Sequence, residues 1–259
     1  MPDSLDITID RRVARIALNR PALHNAFDDA LILELTDALQ RIDADDTIRT
    51  VVITGNGASF SAGADLNWMR SMAGASEAQN RADSEKLATL MRTLNFLSKP
   101  TIARVNGAAY GGGVGLVVCC DIAICADTAK FGLTEVKLGL VPAVISPYVI
   151  AAIGARHARR LFVTAELFDA AEALHIGLVH RVASDLDAAV EATLDHLSKG
   201  GPVAQAEAKR LAFRMTGATL HSAQSIDVEN AALIAELRVS AEGQEGIGAF
   251  LAKRKANWI

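Results

Sequence analysis

The chain has 259 residues, of which 51% are hydrophobic and 22% charged, and its formal net charge is −4. This composition is typical of a globular protein, and the length fits one large domain with a small appendage. The negative net charge argues against a nucleic-acid partner. No run of about 18 apolar residues is available to cross a bilayer. The first ten residues contain acids and no apolar signal segment, so we expect a cytoplasmic protein without a membrane partner.

Strands and helices alternate in the first half of the chain, which predicts an α/β fold with functional loops at the strand ends. The dipeptide Arg11-Arg12 separates two β-rich stretches and predicts a hairpin. The predicted elements are strands Ile7–Asp10 and Val13–Asn19, a helix capped by Asp28 and Asp29, strand Thr50–Thr54, a helical segment near Leu66–Met72, a longer helix with Leu87, Leu90, Leu94 and Leu97 on one face that ends before Pro100, and strands Thr101–Val105 and Asp121–Ala126.

Helical patterns dominate after Pro142. The break at Gly200-Gly201-Pro202 predicts a boundary between a core over residues 1–200 and a helical region over residues 201–259. Helices without a large core of their own often pack on the main domain or on a neighbouring subunit. The predicted helices are Val149–Phe162, Asp185–Ser198, Val203–Met215, Leu220–Leu237 and Glu242–Lys255.

Two glycine-bearing turns, Ser61–Leu66 and Gly107–Gly113, are the most informative segments of the chain. Each consists of small residues after a predicted strand, so each can direct a bare backbone N–H into a cleft. A helix N-terminus leaves such N–H groups free and carries partial positive charge. Two donors that converge on one carbonyl oxygen form an oxyanion hole, worth roughly 3 kcal/mol per donor. This pattern predicts chemistry beside a thioester carbonyl.

Three cysteines, Cys119, Cys120 and Cys125, lie in apolar sequence without the paired spacing of a zinc site. We expect them to be small buried residues that form neither a disulfide nor a metal site.

Several motifs, taken in order, resemble the crotonase superfamily, also called the enoyl-CoA hydratase and isomerase family. That resemblance implies a spiral of ββα turns, an acyl-CoA thioester substrate with no separate cofactor, and C-terminal helices that form a trimer or a dimer of trimers. It also implies that the two oxyanion-hole amides belong to Ala64 and Gly112. The motifs are Asn19-Arg20-Pro21, Asn25-Ala26-Phe27, Phe60–Leu66, Asn106–Gly113, Asp121 and Phe131–Gly139.

Glu135 is the candidate general acid/base. It lies between Leu133 and Val136 in a segment whose other charge is Lys137, and it matches a catalytic glutamate of the family. An apolar setting raises the pKa of such a carboxyl toward neutrality, which suits proton transfer. The alternative is a surface glutamate paired with Lys137.

The chain departs from many hydratases at Gly115, where they carry a second glutamate. The two-carboxylate scheme therefore cannot operate unchanged. Segments Ser61–Met69, Gly111–Asp121 and Leu138–Ile150 look like bacterial methylglutaconyl-CoA hydratases of leucine breakdown. We expect a hydratase with Glu135 as its main acid/base group, assisted either by water alone or by the substrate's own distal carboxylate, which the space at Gly115 suggests. The alternatives are an enoyl-CoA isomerase with Glu135 as its single base and a non-catalytic acyl-CoA-binding protein.

Contacts to the substrate are assigned from the resemblance. Relatives place CoA over the segments that match Ala22, Leu23 and His24, and Ala62, Ala64, Asp65 and Leu66. Phe250 and Lys253 match positions that often reach the CoA of an adjoining subunit; the alternative for Lys253 is a solvated helix end. Trp68, Met69 and Met72 follow the first turn at helical spacing and wall either an acyl pocket or a buried helix face.

Overall fold

A six-stranded sheet forms the centre of the computed structural model, which describes residues 4–259. Its strands run in the order β1-β2-β3-β5-β7-β10, antiparallel in the β1–β2 hairpin and parallel elsewhere. The strands are β1 (Leu5–Asp10), β2 (Val13–Leu18), β3 (Thr50–Gly55), β4 (Ser59–Ser61), β5 (Thr101–Val105), β6 (Ala108–Tyr110), β7 (Ile122–Ala126), β8 (Lys130–Gly132), β9 (Leu167–Asp169) and β10 (Arg181–Ala183).

Helices cover the sheet, and most of them begin at a side-chain cap. Asp28 caps α1 by accepting a hydrogen bond from Leu31 N at 2.9 Å, and Ser76 forms a capping box at the start of α3. The helices are α1 (Asp29–Ala44), α2 (Leu66–Ala73), α3 (Glu77–Asn95), α4 (Gly112–Cys119), α5 (Ser146–Thr164, broken at Gly154), α6 (Ala170–His175), α7 (Leu186–Ser198), α8 (Pro202–Thr216), α9 (Leu220–Val239) and α10 (Ala241–Leu251).

The predicted α/β fold is confirmed, and each predicted strand and helix is present with ends shifted by a few residues. The sequence analysis missed a second sheet, in which β4, β6 and β8 run parallel and β9 pairs antiparallel with β8. It also missed β10 and α6, which lie among the helices predicted after Pro142. These elements are three to six residues long, too short for a hydrophobic period to be read.

The helices after Gly200 pack back on the core of the same chain. Helix α9 lies along α3, where Arg92 pairs with Asp227. Helix α8 contributes Phe213, whose ring centroid lies 4.8 Å from that of Phe96 at the end of α3. Helix α10 packs against α2 and the 3-10 turn Glu135–Leu138. The C-terminal region therefore packs against the helix that follows the first glycine turn and against the turn that carries Glu135. Within residues 4–259, none of the helices is both long enough and apolar enough to span a bilayer.

Candidate active site

The two glycine turns lie side by side. Gly63 has φ +81° and Gly111 has φ +49°, the left-handed region that glycine adopts without strain. A Cβ placed on Gly63 would lie 2.8 Å from the carbonyl oxygen of Tyr110 and 3.7 Å from the nitrogen of Gly112. Any side chain at position 63 would therefore separate the turns. Strands β4 and β6, which deliver these turns, pair in parallel and bring their ends to the same edge.

The main-chain N–H groups of Ala64 and Gly112 make no hydrogen bond to any residue in the described part of the chain. Phe27 holds the first turn in place on either side of Ala64: its N–H donates to Gly63 O at 2.6 Å, and its carbonyl accepts from Asp65 N at 2.8 Å. Gly112 is the first residue of α4, where a helix leaves its N–H groups unpaired. Both donors are thus available to a ligand.

Both turns open into one cavity of about 460 Å³, a volume that suits a small-molecule ligand. Its wall is mostly apolar, and Trp68, Met69 and Met72 contribute to it. Among the described residues that line it, Glu135 is the only acidic one and the cationic ones are Lys137, Arg238 and Arg254. Arg254 is paired with Glu245, so the cavity combines an apolar interior, one carboxyl group and the positive charges of Lys137 and Arg238. This combination favours an anionic ligand with an apolar part.

Glu135 is half-buried as a whole, but its Oε2 atom is enclosed and has no hydrogen-bond partner within residues 4–259. Burial raises the pKa of Glu135 to about 7. Lys137, the partner that the alternative interpretation required, makes no ion pair with it in this part of the chain. A Cβ placed on Gly111 would lie 3.0 Å from Glu135 Oε1, so the glycine at 111 leaves room for the carboxyl group. A proton carrier that titrates near neutrality therefore lies beside the second turn.

The space beside Gly115 is filled. A Cβ placed on this residue would lie 2.5 Å from Ile145 Cγ2 and 3.1 Å from both Met91 Cε and Met91 Sδ. All three residues are buried. Apolar side chains therefore occupy the volume beside Gly115, which removes the reason for expecting a distal carboxylate of the substrate at that point.

The family follows from comparison with known proteins. The model of the enoyl-CoA hydratase/isomerase family matches residues 8–259. The chain belongs to this family. The resemblance seen in the motifs is confirmed, and with it the expectation of an enzyme of the enoyl-CoA hydratase class.

Relatives in the enoyl-CoA hydratase/isomerase family match the chain over almost its whole length. A crotonyl-CoA hydratase of Syntrophomonas wolfei is 34% identical over 96% of this chain and 95% of its own. A 2,3-dehydroadipyl-CoA hydratase of Escherichia coli is 34% identical over 96% of each. The crystal structure of an enoyl-CoA hydratase from Shewanella pealeana superposes with a TM-score of 0.82 at 44% identity, covering 99% of this chain and 96% of that one.

Some residues assigned from the family resemblance lie on the cavity wall and others do not. Ala62, Ala64, Trp68, Gly112, Glu135 and Phe250 line it. Phe250 does so on the α10 helix of its own chain. Ala22, Leu23, His24, Asp65, Leu66 and Lys253 lie outside the lining.

The residues outside the lining have other contacts or are open to solvent. Ala22 and Leu23 are exposed on the 3-10 turn Pro21–Leu23, and His24 Nδ1 lies 3.0 Å from Ser59 Oγ. Asp65 caps α2 by accepting hydrogen bonds from Asn67 N at 2.8 Å and Trp68 N at 3.2 Å. This cap fixes Trp68 one turn after Ala64.

Sequence reasoning missed Arg238, Tyr110 and Arg254, which all line the cavity. Arg238 lies on α9 with its side chain 14% exposed, and its guanidinium carbon is 5.7 Å from the centroid of the Trp68 ring. The sequence contains a signal that could have identified Arg238. Helix α9 buries Ala231, Ile234 and Ala235, and Arg238 continues this face at helical spacing. A cation on an apolar helix face indicates a partner or a function.

The three cysteines are free thiols and buried, as their sequence context predicted. Burial raises the pKa of the Cys119, Cys120 and Cys125 thiols, which makes them unreactive. Within residues 4–259, no group of three or more His, Cys, Asp or Glu side chains has the arrangement of a metal site.

Proposed function

We propose that this protein hydrates the α,β double bond of an acyl-CoA thioester. One observation carries the proposal: the unpaired N–H groups of Ala64 and Gly112 and the buried carboxyl of Glu135 border a single apolar cavity. The two N–H groups suit the thioester oxygen, where negative charge collects when water adds to the β-carbon. The carboxyl group suits the proton transfer that the addition requires.

A single carboxylate can carry the proton through the whole reaction. In its ionised form Glu135 takes a proton from water while the hydroxide bonds to the β-carbon, and the electron pair of the double bond moves toward the thioester oxygen. The amides of Ala64 and Gly112 hold the resulting enolate. Protonated Glu135 then gives its proton to the α-carbon, which restores the carboxylate. The product is the 3-hydroxyacyl-CoA, and the atoms of one water have been added.

The proposal is tested by product mass. Crotonyl-CoA and 3-methylglutaconyl-CoA are incubated separately with the protein, and the esters are analysed by mass spectrometry. The expected product is heavier by one water and carries the hydroxyl group on the β-carbon. An unchanged substrate pool with both esters, and with longer enoyl-CoA esters, would reject hydratase activity.

The acyl group proposed is the branched dicarboxylate of 3-methylglutaconyl-CoA, which would place the protein in leucine breakdown. Similarity of three segments to methylglutaconyl-CoA hydratases supports this choice, and so do the positive charges of Lys137 and Arg238 on the cavity wall. The Escherichia coli relative is named for another unsaturated dicarboxylic ester. Comparison of kcat/KM for 3-methylglutaconyl-CoA and crotonyl-CoA tests the choice, and equal values would reject it.

An enoyl-CoA isomerase is the second candidate. Ile145 and Met91 close the space beside Gly115, and Glu135 is the only acidic side chain among the described residues of the cavity. A double-bond shift needs one base that removes a proton at the α-carbon and returns it at the γ-carbon. In D₂O an isomerase would move the double bond of a 3-enoyl-CoA and incorporate deuterium without gain of water. A hydratase would convert the 2-enoyl-CoA to the hydroxy ester.

We also propose that the C-terminal helices assemble the protein into a trimer or a dimer of trimers. Helix α8 buries none of its residues in the single chain, and large apolar side chains are exposed on α8 and α9. Clustered apolar exposure of this kind marks an interaction surface. Light scattering during gel filtration measures the mass directly, and a monomer at micromolar concentration would reject the assembly. The exposed residues include Val203, Leu211, Met215, Leu220, Ile226, Val228 and Leu233.

A further inference from the structure

Arg238 is the one charged side chain on the buried face of α9 that also lines the active-site cavity. Its neighbours there are Trp68, whose ring lies under the guanidinium, and Ser84 on α3. Trp68 is one helical turn beyond Ala64, so Arg238 extends the wall that begins at the proposed oxyanion hole. A largely buried guanidinium in an apolar wall needs compensation by polar partners.

The protein supplies only part of that compensation. Arg238 Nη1 lies 3.4 Å from Asn80 Oδ1, 3.4 Å from Ser84 Oγ and 3.6 Å from Asp83 Oδ2. All three contacts use this single nitrogen. Nε and Nη2 make no hydrogen bond within residues 4–259, yet they are not among the enclosed polar atoms. The edge of the guanidinium that carries these two donors is therefore accessible and unpaired.

Asp83 balances the charge of Arg238 poorly. Both of its carboxylate oxygens are buried without a hydrogen bond in the described part of the chain, and its side chain is 4% exposed. Burial raises the pKa of Asp83 to about 7, and neighbouring Asp29 acts in the same direction, whereas Arg238 and Lys86 oppose it. Near neutral pH the carboxyl is therefore protonated for part of the time. A second anion at the free edge of Arg238 would complete the compensation.

We propose that the free Nε–Nη2 edge of Arg238 binds a carboxylate at the distal end of the acyl chain, so that the enzyme selects monothioesters of dicarboxylic acids. A guanidinium presents two parallel N–H groups that match the two oxygens of a carboxylate. The Trp68 ring lies 5.7 Å from the guanidinium carbon, and this cation–π contact helps to hold the guanidinium at the cavity wall. This inference rests on the proposed function, since it takes the cavity to be the acyl-CoA site.

Binding of saturated esters tests the inference without requiring turnover. Adipyl-CoA and hexanoyl-CoA have the same chain length and differ only in the terminal carboxylate, as do glutaryl-CoA and pentanoyl-CoA. By calorimetry we expect the carboxylate member of at least one pair to bind about ten- to a hundredfold more tightly. Arg238→Met should abolish this ratio, and Arg238→Lys should restore only part of it, because lysine lacks the fork.

Two further variants separate binding from folding. If Arg238→Met alone does not fold, the double variant Asp83→Asn with Arg238→Met replaces it, because that variant removes both buried charges together. Arg81→Met, on the exposed side of α3, makes the same change of net charge outside the cavity and should leave the ratio unchanged. Free CoA is titrated as well: a loss of CoA affinity in Arg238→Met equal to that of adipyl-CoA would assign Arg238 to the phosphates and overturn the inference.

The outcomes distinguish this inference from the proposed function. If crotonyl-CoA is hydrated but both pairs of esters bind with equal affinity, the hydratase stands and the role of Arg238 is overturned. If the carboxylate preference is present and lost in Arg238→Met while no ester is hydrated, the role of Arg238 stands and the reaction is wrong. If no ester binds, both fail.

Discussion

Ile145 occupies the position that a side chain on Gly115 would need: its Cγ2 atom lies 2.5 Å from where the Cβ of residue 115 would be. Met91 closes the same space from the other side at 3.1 Å. The absence of a second glutamate in α4 is therefore accompanied by apolar packing, and Glu135 is the one acidic side chain among the described residues of the cavity. Addition of the missing glutamate alone cannot restore a two-carboxylate site.

Substitution of Gly115 should destabilise the protein in proportion to the side chain added. We expect Gly115→Ala to lower the free energy of unfolding by about 1–3 kcal/mol, because its methyl group overpacks against Ile145. Gly115→Glu should cost more, since it also buries a carboxyl group, and should not raise the rate of crotonyl-CoA hydration. Urea unfolding and a hydration assay measure the two effects.

Gly248 provides the matched control, because it is also a helical glycine but has no atom within 4 Å of the Cβ position. Gly248→Ala should be stabilising by up to about 1 kcal/mol through helix propensity. The filled-space interpretation fails if Gly115→Ala behaves like Gly248→Ala.

Glu135→Gln should lower kcat by about 10²–10⁴ while leaving the affinity for a saturated acyl-CoA within a fewfold of wild type. Glutamine has nearly the same shape as glutamate but cannot take or give the proton. Glu207→Gln, at an exposed residue paired with Arg210, is the control and should retain full activity. Steady-state kinetics and calorimetry test the pair, and near-normal turnover of Glu135→Gln would remove Glu135 from the mechanism.

The rate of hydration should increase with pH through the titration of Glu135. The proposed first step uses the carboxylate as a base, and burial raises its pKa to about 7. We therefore expect kcat/KM to rise between about pH 6 and 8 and then level off. A profile that falls over this range would show that the protonated form is the active one in the free enzyme and that the order of the two proton transfers is reversed.

Long elements of the fold could be predicted from the sequence, whereas elements of three residues could not. The helix α1 was predicted because Ile32, Leu35 and Leu39 repeat at helical spacing after a cap at Asp28. The strand β6 (Ala108–Tyr110) was missed, since three residues show no period and Gly107 and Gly111 mark the segment as a turn. The second sheet is stabilised by pairing between distant segments, which a local pattern cannot reveal.

The candidate site shows the same limit. Ala64 and Gly112 lie in motifs and were assigned from the family resemblance, and Glu135 was assigned from its apolar neighbours together with that resemblance. Arg238 lies in a helix with no motif, and its importance depends on α9 packing along α3 and placing the guanidinium over Trp68. The opposite error occurred at Gly115, where a missing side chain suggested an empty space and packing from Ile145 filled it.

The stability of the protein should depend on pH through Glu135 with a defined sign. Its pKa is about 7 in the folded protein and near 4.5 as an ordinary carboxyl, so between these values the folded state binds more protons than the unfolded state. The contribution of Glu135 to stability therefore falls as pH rises from about 4.5 to 7 and is constant above. Glu135→Gln lacks this contribution.

The measurement is the difference in unfolding free energy between Glu135→Gln and wild type at a series of pH values. We expect this difference to shift in favour of the variant from pH 5 to pH 8. Asp83 also has a raised pKa of about 7, but it is present in both proteins and cancels in the difference. A difference that is flat with pH would mean that the Glu135 carboxyl is not shifted upward by burial.

The two main-chain donors can be removed one at a time by replacing the amide with an ester, which exchanges the N–H for an oxygen and keeps the side chain. At Ala64 or Gly112 we expect kcat for hydration to fall by about 10²–10³ with little loss of stability, because neither N–H has a hydrogen bond to lose within the described residues. The same replacement at Ala204, whose N–H is also unpaired but lies in the first turn of α8 away from the cavity, should leave kcat unchanged. Single-turnover rates and thermal unfolding of the three esters provide the comparison. Full activity in the Ala64 or the Gly112 ester would show that the thioester oxygen is held elsewhere, whereas equal losses at all three positions would trace the effect to the ester itself.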